Sequence, residues 1–212
     1  MKKAFMKLAP QRRDDILGAV IEIFAEKGFN GAGISDICSR AGISNGALYT
    51  YFNNKDDLFR TVLEHGSKLI EGLFAGIEEG LSVQRYFRTV FDRIRHLDVP
   101  KRQAVAVYIE LGSPSMNRFA GALAFRLERK GSTHIREYLD GARARGGLKP
   151  GSDVSAAAFL IDNMIVLYGY SLVSDYHRLR LASFLDIRED ESVDEDQLIG
   201  FLLDTIKSIL LP

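Results

Sequence analysis

The stretch CSRAGISNGALYTYFNNKDDL, residues 38–58, gathers hydroxyl, phenol and amide side chains around a short apolar pattern. If NGALYTY forms a helix, Leu48 and Phe52 lie four positions apart and share the face that packs inward. Gly46 and Thr50 are also four positions apart and lie on nearly the opposite face. The pattern therefore predicts a short helix with one buried side and one side that offers hydrogen-bonding groups to a partner.

The exposed side of this helix has the chemistry that duplex DNA requires. Gly46 removes side-chain bulk, so another backbone can approach closely. Tyr49 and Tyr51 each offer a phenolic hydrogen bond, and the hydroxyl of Ser44 can cap the helix and donate to a phosphate. Lys55 begins the next helix, where its charge and the helix dipole both favour a phosphate. The turn AGIS joins two short helices at a steep angle, as in a helix-turn-helix.

The elements that must position this surface are helices. Apolar residues recur at spacings of three and four rather than two. The first long helix is predicted to end where Gly28 supplies a left-handed conformation, and Asn54 with Asp57 resembles a helix start. We predict an all-α fold of about nine helices. It comprises a three-helix helix-turn-helix unit with a basic amino-terminal arm in residues 1–56, and a larger helical effector-binding and dimerisation domain in residues 57–212.

Composition excludes several classes of site. The chain has 28 basic and 28 acidic residues, so its net charge identifies no partner, although residues 2–13 contain five basic residues and no acid. Cys38 is the only cysteine, which excludes an intrachain disulfide and a thiolate zinc site. The four histidines are scattered, and no apolar run approaches the roughly 20 residues of a membrane helix. We therefore expect a cytoplasmic protein with no metal site, no cofactor and no membrane partner.

The segments ILGAVIEIFAEKGFNGAGISDI and AGISNGALYTYFNNKDDLF, within about residues 12–60, resemble the DNA-binding region of the tetracycline-repressor (TetR) family. The resemblance implies an all-helical homodimeric transcription regulator, usually a repressor that a small ligand releases from its operator. By motif position, it assigns the contacts with DNA to Asn45, Gly46, Tyr49, Thr50, Tyr51 and Lys55.

Asn45 departs from the common pattern of the family, in which many members carry a lysine or another long side chain. An asparagine can form two hydrogen bonds with adenine. Asn45 is therefore either a base-reading residue, a phosphate contact or a simple first-turn residue.

The rest of the chain supplies candidates for a dimer interface and a ligand pocket. One helix-turn-helix reads few base pairs, and a two-fold dimer on a pseudo-palindromic operator doubles that number. The predicted interface, whose alternative is the core of a monomer, consists of Ala158, Ile165, Gly169, Ile199, Leu202, Leu203, Ile206 and Leu210. A mostly apolar pocket for an apolar or aromatic effector is predicted from Phe87, Phe91, Tyr108, Phe119, Phe125, Tyr138, Phe159, Asn163 and Tyr168.

Asp162 interrupts the apolar segment AAAFLIDNMIVLYGY. A buried carboxylate without a partner is costly, so Asp162 must be exposed, paired or functional. A structural ion pair with an arginine across the interface is favoured over a hydrogen bond to a ligand.

Three other functions were weighed against a repressor. A transcriptional activator of the same fold would have the same sequence features. A helical protein-interaction module would not explain the presence of Gly46, Tyr49 and Lys55. An enzyme is disfavoured because no glycine loop follows a strand and no Ser, His and Asp form a recognisable catalytic arrangement.

Overall fold

Apolar residues at spacings of three and four build helices along the chain. The computed structural model describes residues 1–78, 80–119, 121–185 and 194–211. The α-helices are α1 Lys3–Met6, α2 Pro10–Gly31, α3 Ile34–Ala41, α4 Asn45–Tyr51, α5 Lys55–Glu71, α6 Val83–Arg95, α7 Val99–Ile109, α8 Ala122–Ala144, α9 Val154–Ser171, α10 Asp175–Ala182 and α11 Glu195–Leu210. Two 3₁₀ helices, Glu110–Gly112 and Pro114–Phe119, follow α7.

Within the described residues these eleven α-helices and two 3₁₀ helices are accompanied by no strand, which confirms the all-α prediction. The number exceeds the predicted nine for two main reasons. The basic arm contains the short helix α1, and the helical stretch over residues 154–182 divides into α9 and α10. Both added helices are short, at four and eight residues, so neither displays an apolar period of its own.

The chain forms two compact units. The first contains Met1–Glu71 and Asp98–Ala124, and the second contains Gly72–Leu97 and Phe125–Pro212. The first unit thus holds the helix-turn-helix together with α7 and both 3₁₀ helices. The domain boundary predicted after residue 56 stays a prediction.

An aromatic cluster forms part of the core of the first unit. It consists of Phe24 and Phe29 of α2, Phe59 of α5 and Phe119 of the second 3₁₀ helix, and all four side chains are buried. Neighbouring ring centroids lie 4.7 to 5.8 Å apart. Contacts between aromatic rings at these distances are favourable beyond the burial of their area. The cluster therefore ties the segment after α7 to helices α2 and α5.

The helical conformation of α2 breaks at Gly28, whose φ is +69°. This confirms the glycine stop predicted from the sequence, and the structure adds a second reason for glycine. The carboxylate of Glu110 accepts a hydrogen bond of 2.8 Å from the N–H of Phe29. A Cβ atom on Gly28 would lie 2.5 Å from Oε1 of Glu110. The carboxylate thus occupies the space that a side chain at Gly28 would need.

The second unit is built around aromatic side chains of α6, α8 and α9. Phe87 and Phe91 are buried on α6, next to Tyr138 of α8 and Tyr168 of α9 respectively. Tyr138 also stacks on Tyr86 with 3.5 Å between ring centroids. The hydroxyl of Tyr138 donates a hydrogen bond of 2.9 Å to the carbonyl of Leu81, so its polar end is satisfied despite burial.

Glu195 fixes the first turn of α11. Its carboxylate accepts a hydrogen bond of 2.7 Å from the hydroxyl of Tyr168 and one of 2.6 Å from the guanidinium of Arg178. Burial opposes ionisation of Glu195, but these two donors outweigh it and lower its pKa below the ordinary value. The start of α11 is therefore joined to α9 and α10 by charge-assisted hydrogen bonds.

α9 is the helix in the described part of the chain that is long and apolar enough to span a membrane by length and composition. Of this helix, 44% is already buried inside the protein. A core helix has the same length and composition, so this feature does not indicate a membrane span.

We predict that Gly28→Ala destabilises the protein by about 1–3 kcal/mol, because alanine is strained at positive φ and its Cβ would meet Glu110. Chemical denaturation of the purified chain measures the change. Gly18→Ala is the matched control, since Gly18 also lies in α2 and has open space around it. This control should stabilise by about 0.5–1 kcal/mol. Equal effects of the two substitutions would contradict the role given to Gly28.

Candidate nucleic-acid interface

The turn between α3 and α4 is set by Gly42. Its φ of 60° and ψ of 43° are left-handed, and its N–H donates to the carbonyl of Ser39. The next N–H, of Ile43, donates to the carbonyl of Cys38 over 3.0 Å. This closes the end of α3 and redirects the chain. The predicted helix-turn-helix connection is therefore present.

α4 begins at the predicted position and is capped by Ser44. The hydroxyl oxygen of Ser44 accepts a hydrogen bond of 3.1 Å from the N–H of Ala47. Leu48 and Phe52, four residues apart, are both 0% exposed, as is Ile37 of α3. Burial of this side therefore fixes which side of α4 faces solvent.

The solvent-facing side of α4 carries the polar groups on which the DNA prediction depends. Ser44, Asn45, Gly46 and Thr50 are exposed, and Tyr49 is 49% exposed. The hydroxyl of Thr50 donates to the carbonyl of Gly46 over 2.8 Å, which leaves its oxygen free to accept a further bond.

Tyr51 is half-buried, and its ring meets the edge of Phe5 at 5.5 Å between centroids. It therefore has less freedom than the other predicted contacts.

No contact among the described residues explains a glycine at position 46. A Cβ atom placed on it would have the hydroxyl of Ser44, at 3.8 Å, as its nearest neighbour, and its backbone is not left-handed. A glycine near the start of a helix disfavours the helix relative to alanine. The open space at Gly46 faces solvent, where a partner can approach the backbone of α4.

Lys55 begins α5 as predicted, but its ammonium group does not project freely into solvent. Its Nζ lies 4.6 Å from the ring centroid of Phe29. Burial lowers the pKa of Lys55, and the neighbouring charge of Arg118 lowers it further. The prediction from sequence missed this because only the fold brings Phe29 beside Lys55. We therefore exclude Lys55 from the contacts proposed below.

The start of α5 is capped by protein groups. The side-chain oxygen of Asn54 accepts a hydrogen bond of 2.8 Å from the N–H of Asp57, which confirms the predicted cap. The carboxylate of Asp57 in turn accepts from the N–H of Asn53 over 3.0 Å. Asp56 adds a second carboxylate to the first turn. These groups leave little reason for a phosphate to bind there.

The nine residues predicted for one ligand pocket divide between the two units. Tyr108 and Phe119 belong to the first unit, where Tyr108 donates to the carbonyl of Leu63 and Phe119 joins the aromatic cluster. Four others lie in the aromatic core of the second unit: Phe87, Phe91, Tyr138 and Tyr168. Three are exposed on the surface of that unit: Phe125, Phe159 and Asn163. The prediction that the nine line one pocket stays a prediction.

The residues predicted for the dimer interface lie inside the single chain. Seven of the eight residues are at most 8% exposed, and the eighth, Gly169, is buried as well. Their apolar side chains pack within the second unit, and their assignment to a dimer interface stays a prediction. The buried set is Ala158, Ile165, Gly169, Ile199, Leu202, Leu203, Ile206 and Leu210.

A different side of α9 is apolar and exposed. Phe159 is 66% exposed and Leu160 is 42% exposed. Ala156 and Asn163 are also exposed and lie four residues from Leu160 and Phe159, respectively. We call these four residues the outer face of α9.

Asp162 has no ion-pair partner among the described residues of this single chain, and the arginine pair predicted across an interface stays a prediction. The Oδ1 atom of Asp162 lies 3.5 Å from the position that a Cβ atom on Gly131 of α8 would occupy. Burial raises the pKa of Asp162 to about 6, with a further contribution from the carboxylate of Glu128. The charged form of Asp162 is therefore disfavoured, and no ion pair with a described residue compensates for its burial.

Comparison with known proteins places the helix-turn-helix in a family. Residues 16–62 match the family described as "Bacterial regulatory proteins, tetR family". The chain is 34% identical over 71 residues to the HTH-type transcriptional activator FasR of Mycolicibacterium smegmatis, covering 34% of this chain and 31% of FasR. It is 28% identical over 102 residues to the biofilm operon icaADBC HTH-type negative transcriptional regulator IcaR of Staphylococcus epidermidis, covering 48% and 54%. The chain thus spans about a third to a half of these curated relatives.

Solved structures extend the similarity to the whole fold. Salmonella enterica GusR has a TM-score of 0.70 and 20% identity, covering 96% of this chain and 97% of that one. SmeT, the repressor of the Stenotrophomonas maltophilia multidrug efflux pump SmeDEF, has a TM-score of 0.66 and 19% identity, with coverages of 98% and 93%. At these identities the structures establish a shared fold, and the family match is confined to the amino-terminal residues 16–62. The helix-turn-helix of this chain, within residues 16–62, thus matches the TetR family of bacterial regulatory proteins.

Proposed function

We propose that this chain is a sequence-specific DNA-binding repressor that acts in the cytoplasm as a homodimer and is released from its operator by a small ligand. The observation that carries the proposal is the solvent-facing side of α4, with an unexplained glycine among exposed hydrogen-bonding groups. Names of similar proteins support regulation of transcription, and they include a repressor, a negative regulator and an activator. Catalysis has no role in this function.

The proposed DNA contacts are divided by chemistry. Gly46 allows α4 to approach the duplex backbone, and the side chains around it supply hydrogen bonds to phosphates and base edges. Ser44 is committed to the helix cap, but its hydroxyl proton remains available to a phosphate. The remaining proposed DNA contacts are Tyr49, Thr50 and Tyr51.

Asn45 is the proposed base-reading residue. It occupies the first position of α4, and the first residues of a recognition helix reach base edges in the major groove. Its side chain is exposed and makes no hydrogen bond with any described residue. A side-chain amide that is not already hydrogen-bonded can form two hydrogen bonds with N6 and N7 of adenine.

The proposed dimer uses the outer face of α9. Phe159 and Leu160 expose apolar area that a second copy would remove from water. A two-fold dimer carries two copies of α4, and the half-sites that such dimers read lie about 34 Å apart, one turn of duplex. The operator is therefore proposed to be pseudo-palindromic.

The proposed effector is a small apolar or aromatic molecule. Its support is the aromatic content of the second unit, in which Phe87, Phe91, Tyr138 and Tyr168 are packed together with few charges. A ligand that opens this core would favour one conformation over another and so change the population able to bind DNA.

Gly46→Ala should raise stability and lower DNA affinity at the same time. Alanine favours a helix by about 0.5–1 kcal/mol relative to glycine, whereas its methyl group would intrude where the duplex approaches. We expect at least a tenfold weaker affinity, about 1.4 kcal/mol, for a duplex that the wild-type chain selects from a random pool. Gly200→Ala in α11 is the control, because its surroundings are also open. If both variants bind the duplex equally well, the proposed approach of α4 to DNA is excluded.

Asn45→Ala should relax the preference at one base pair of the half-site. The expected loss is about 1–3 kcal/mol against the preferred duplex and little against a duplex already altered at that position. Repeating the selection with the variant measures this directly. A loss of similar size on every sequence would instead identify a phosphate contact.

Phe159→Asp should convert the dimer to a monomer, because it places a charge in the outer face of α9. Sedimentation of the purified variant measures the mass. Val99→Asp is the matched control, since Val99 is 67% exposed on α7 and belongs to the first unit. The helical content of both variants at low temperature should stay that of the wild type, because the substituted side chains are exposed. A variant that stays dimeric would rule out this interface.

A further inference from the structure

The short helix α1 packs against the carboxyl end of α4, which is the helix proposed to read DNA. Phe5 is its buried residue, with 1% exposure. The ring of Phe5 lies 4.9 Å from that of Phe52 and 5.5 Å from that of Tyr51, measured between centroids. The sequence predicts a basic arm in this segment, whereas the structure shows a short helix held in a fixed place beside α4.

Lys2 completes the carboxyl end of α4. Its ammonium group donates a hydrogen bond of 2.6 Å to the carbonyl of Tyr49, and its backbone N–H donates one of 2.8 Å to the carbonyl of Tyr51. The last carbonyls of a helix lack partners within the helix, and a cation near them also complements the helix dipole. Lys2 therefore holds the carboxyl end of α4 in place. The helix α1 lies beside that end, next to the polar side of α4 that carries Tyr49.

Two further lysines of this segment point away from the buried side. Lys3 and Lys7 are four residues apart and share a face of α1 and its cap, whereas Phe5 lies two residues from each. Both lysines are exposed. Neither has an ion pair, hydrogen bond or ring contact with the described residues.

This freedom is unusual among the basic residues of the region. Arg12 donates to the carbonyls of Ala41 and Gly42 at the end of α3, over 3.3 and 3.0 Å. Arg40 pairs with Glu22 and Glu26 of α2, over 2.9 and 3.0 Å. The remaining basic side chains between residues 8 and 60 are likewise engaged within the chain: Arg13, Lys27, Lys55 and Arg60.

We propose that α1 is a second DNA-contacting element, in which Lys2 and Phe5 hold the helix against α4 so that Lys3 and Lys7 bind backbone phosphates beside the groove that α4 reads. The inference rests on the proposed function and adds the residues that supply its charge. Phosphate contacts carry no base information, but they fix the register of the protein on the duplex. Neutralising a phosphate with a lysine also releases a counterion and makes affinity dependent on salt.

The test is the salt dependence of binding by the double variant Lys3→Gln, Lys7→Gln. The full chain and a duplex selected by the wild type are titrated at several potassium chloride concentrations. The slope of log affinity against log salt should decrease by about 0.9 for each lost phosphate contact, or about 1.8 per protomer. Affinity should fall by the same factor for the selected duplex and for duplexes with single base-pair changes.

A matched double variant, Lys68→Gln with Lys207→Gln, controls for the loss of two positive charges. Both residues are exposed, and neither has a partner among the described residues. Lys68 lies 13 residues along α5 from Lys55, about 20 Å away along the helix. This control should leave the salt slope unchanged.

Lys2→Met separates positioning from phosphate binding. It keeps the apolar stem but removes the ammonium group from the end of α4, so affinity should fall while the salt slope stays at the wild-type value.

The possible results discriminate clearly. An unchanged slope and affinity in the Lys3→Gln, Lys7→Gln variant would overturn the inference, as would a loss restricted to particular base pairs. Failure of the wild-type chain to select any duplex would instead overturn the proposed function itself.

Discussion

The direction in which α4 faces depends on the burial of Leu48 and Phe52. α4 has seven residues, and a helix this short is not stable in water without tertiary contacts. Burying side chains of this size contributes about 1.5–3 kcal/mol each. The left-handed turn at Gly42 delivers α4 to the core, and the Ser44 cap starts it at the correct residue. The exposed polar side is thus a consequence of packing on the opposite side.

The charge balance of the amino-terminal region follows from the same packing. Arginines and lysines that sequence reasoning treats as a free basic arm or a free phosphate contact are used to close helix ends and cover aromatic rings. Arg12 closes α3, Lys2 closes α4 and Lys55 covers Phe29. The side of α4 that faces solvent contains no basic residue. Neutral hydrogen-bonding groups release few counterions, so they favour recognition of sequence over indiscriminate attraction to phosphates.

Local patterns predict much of this arrangement. The two sides of α4, the glycine stop in α2 and the cap at Asn54 depend on residues within a few positions of one another, and the structure contains all three. The position of Lys55 depends on Phe29, which is 26 residues earlier in the chain, and no local pattern brings them together. Likewise, the pairing of Glu110 with Phe29 joins residues 81 positions apart. Residues 98–124 complete the first unit through such long-range contacts, and their separation in sequence conceals this role.

The apolar sides of α9 show a second limit of sequence patterns. A helix that is apolar all round is typical of burial on every side, but its pattern does not say which side its own chain covers. Ala158 and Ile165 face inward, whereas Phe159 and Leu160 remain exposed. Asp162 lies on the same helix, and partial burial within its own chain already raises its pKa. Complete burial of an ionised carboxylate without a partner costs several kcal/mol. A second copy on the outer face of α9 must therefore leave Asp162 at the margin of the contact or supply it with a hydrogen-bond donor.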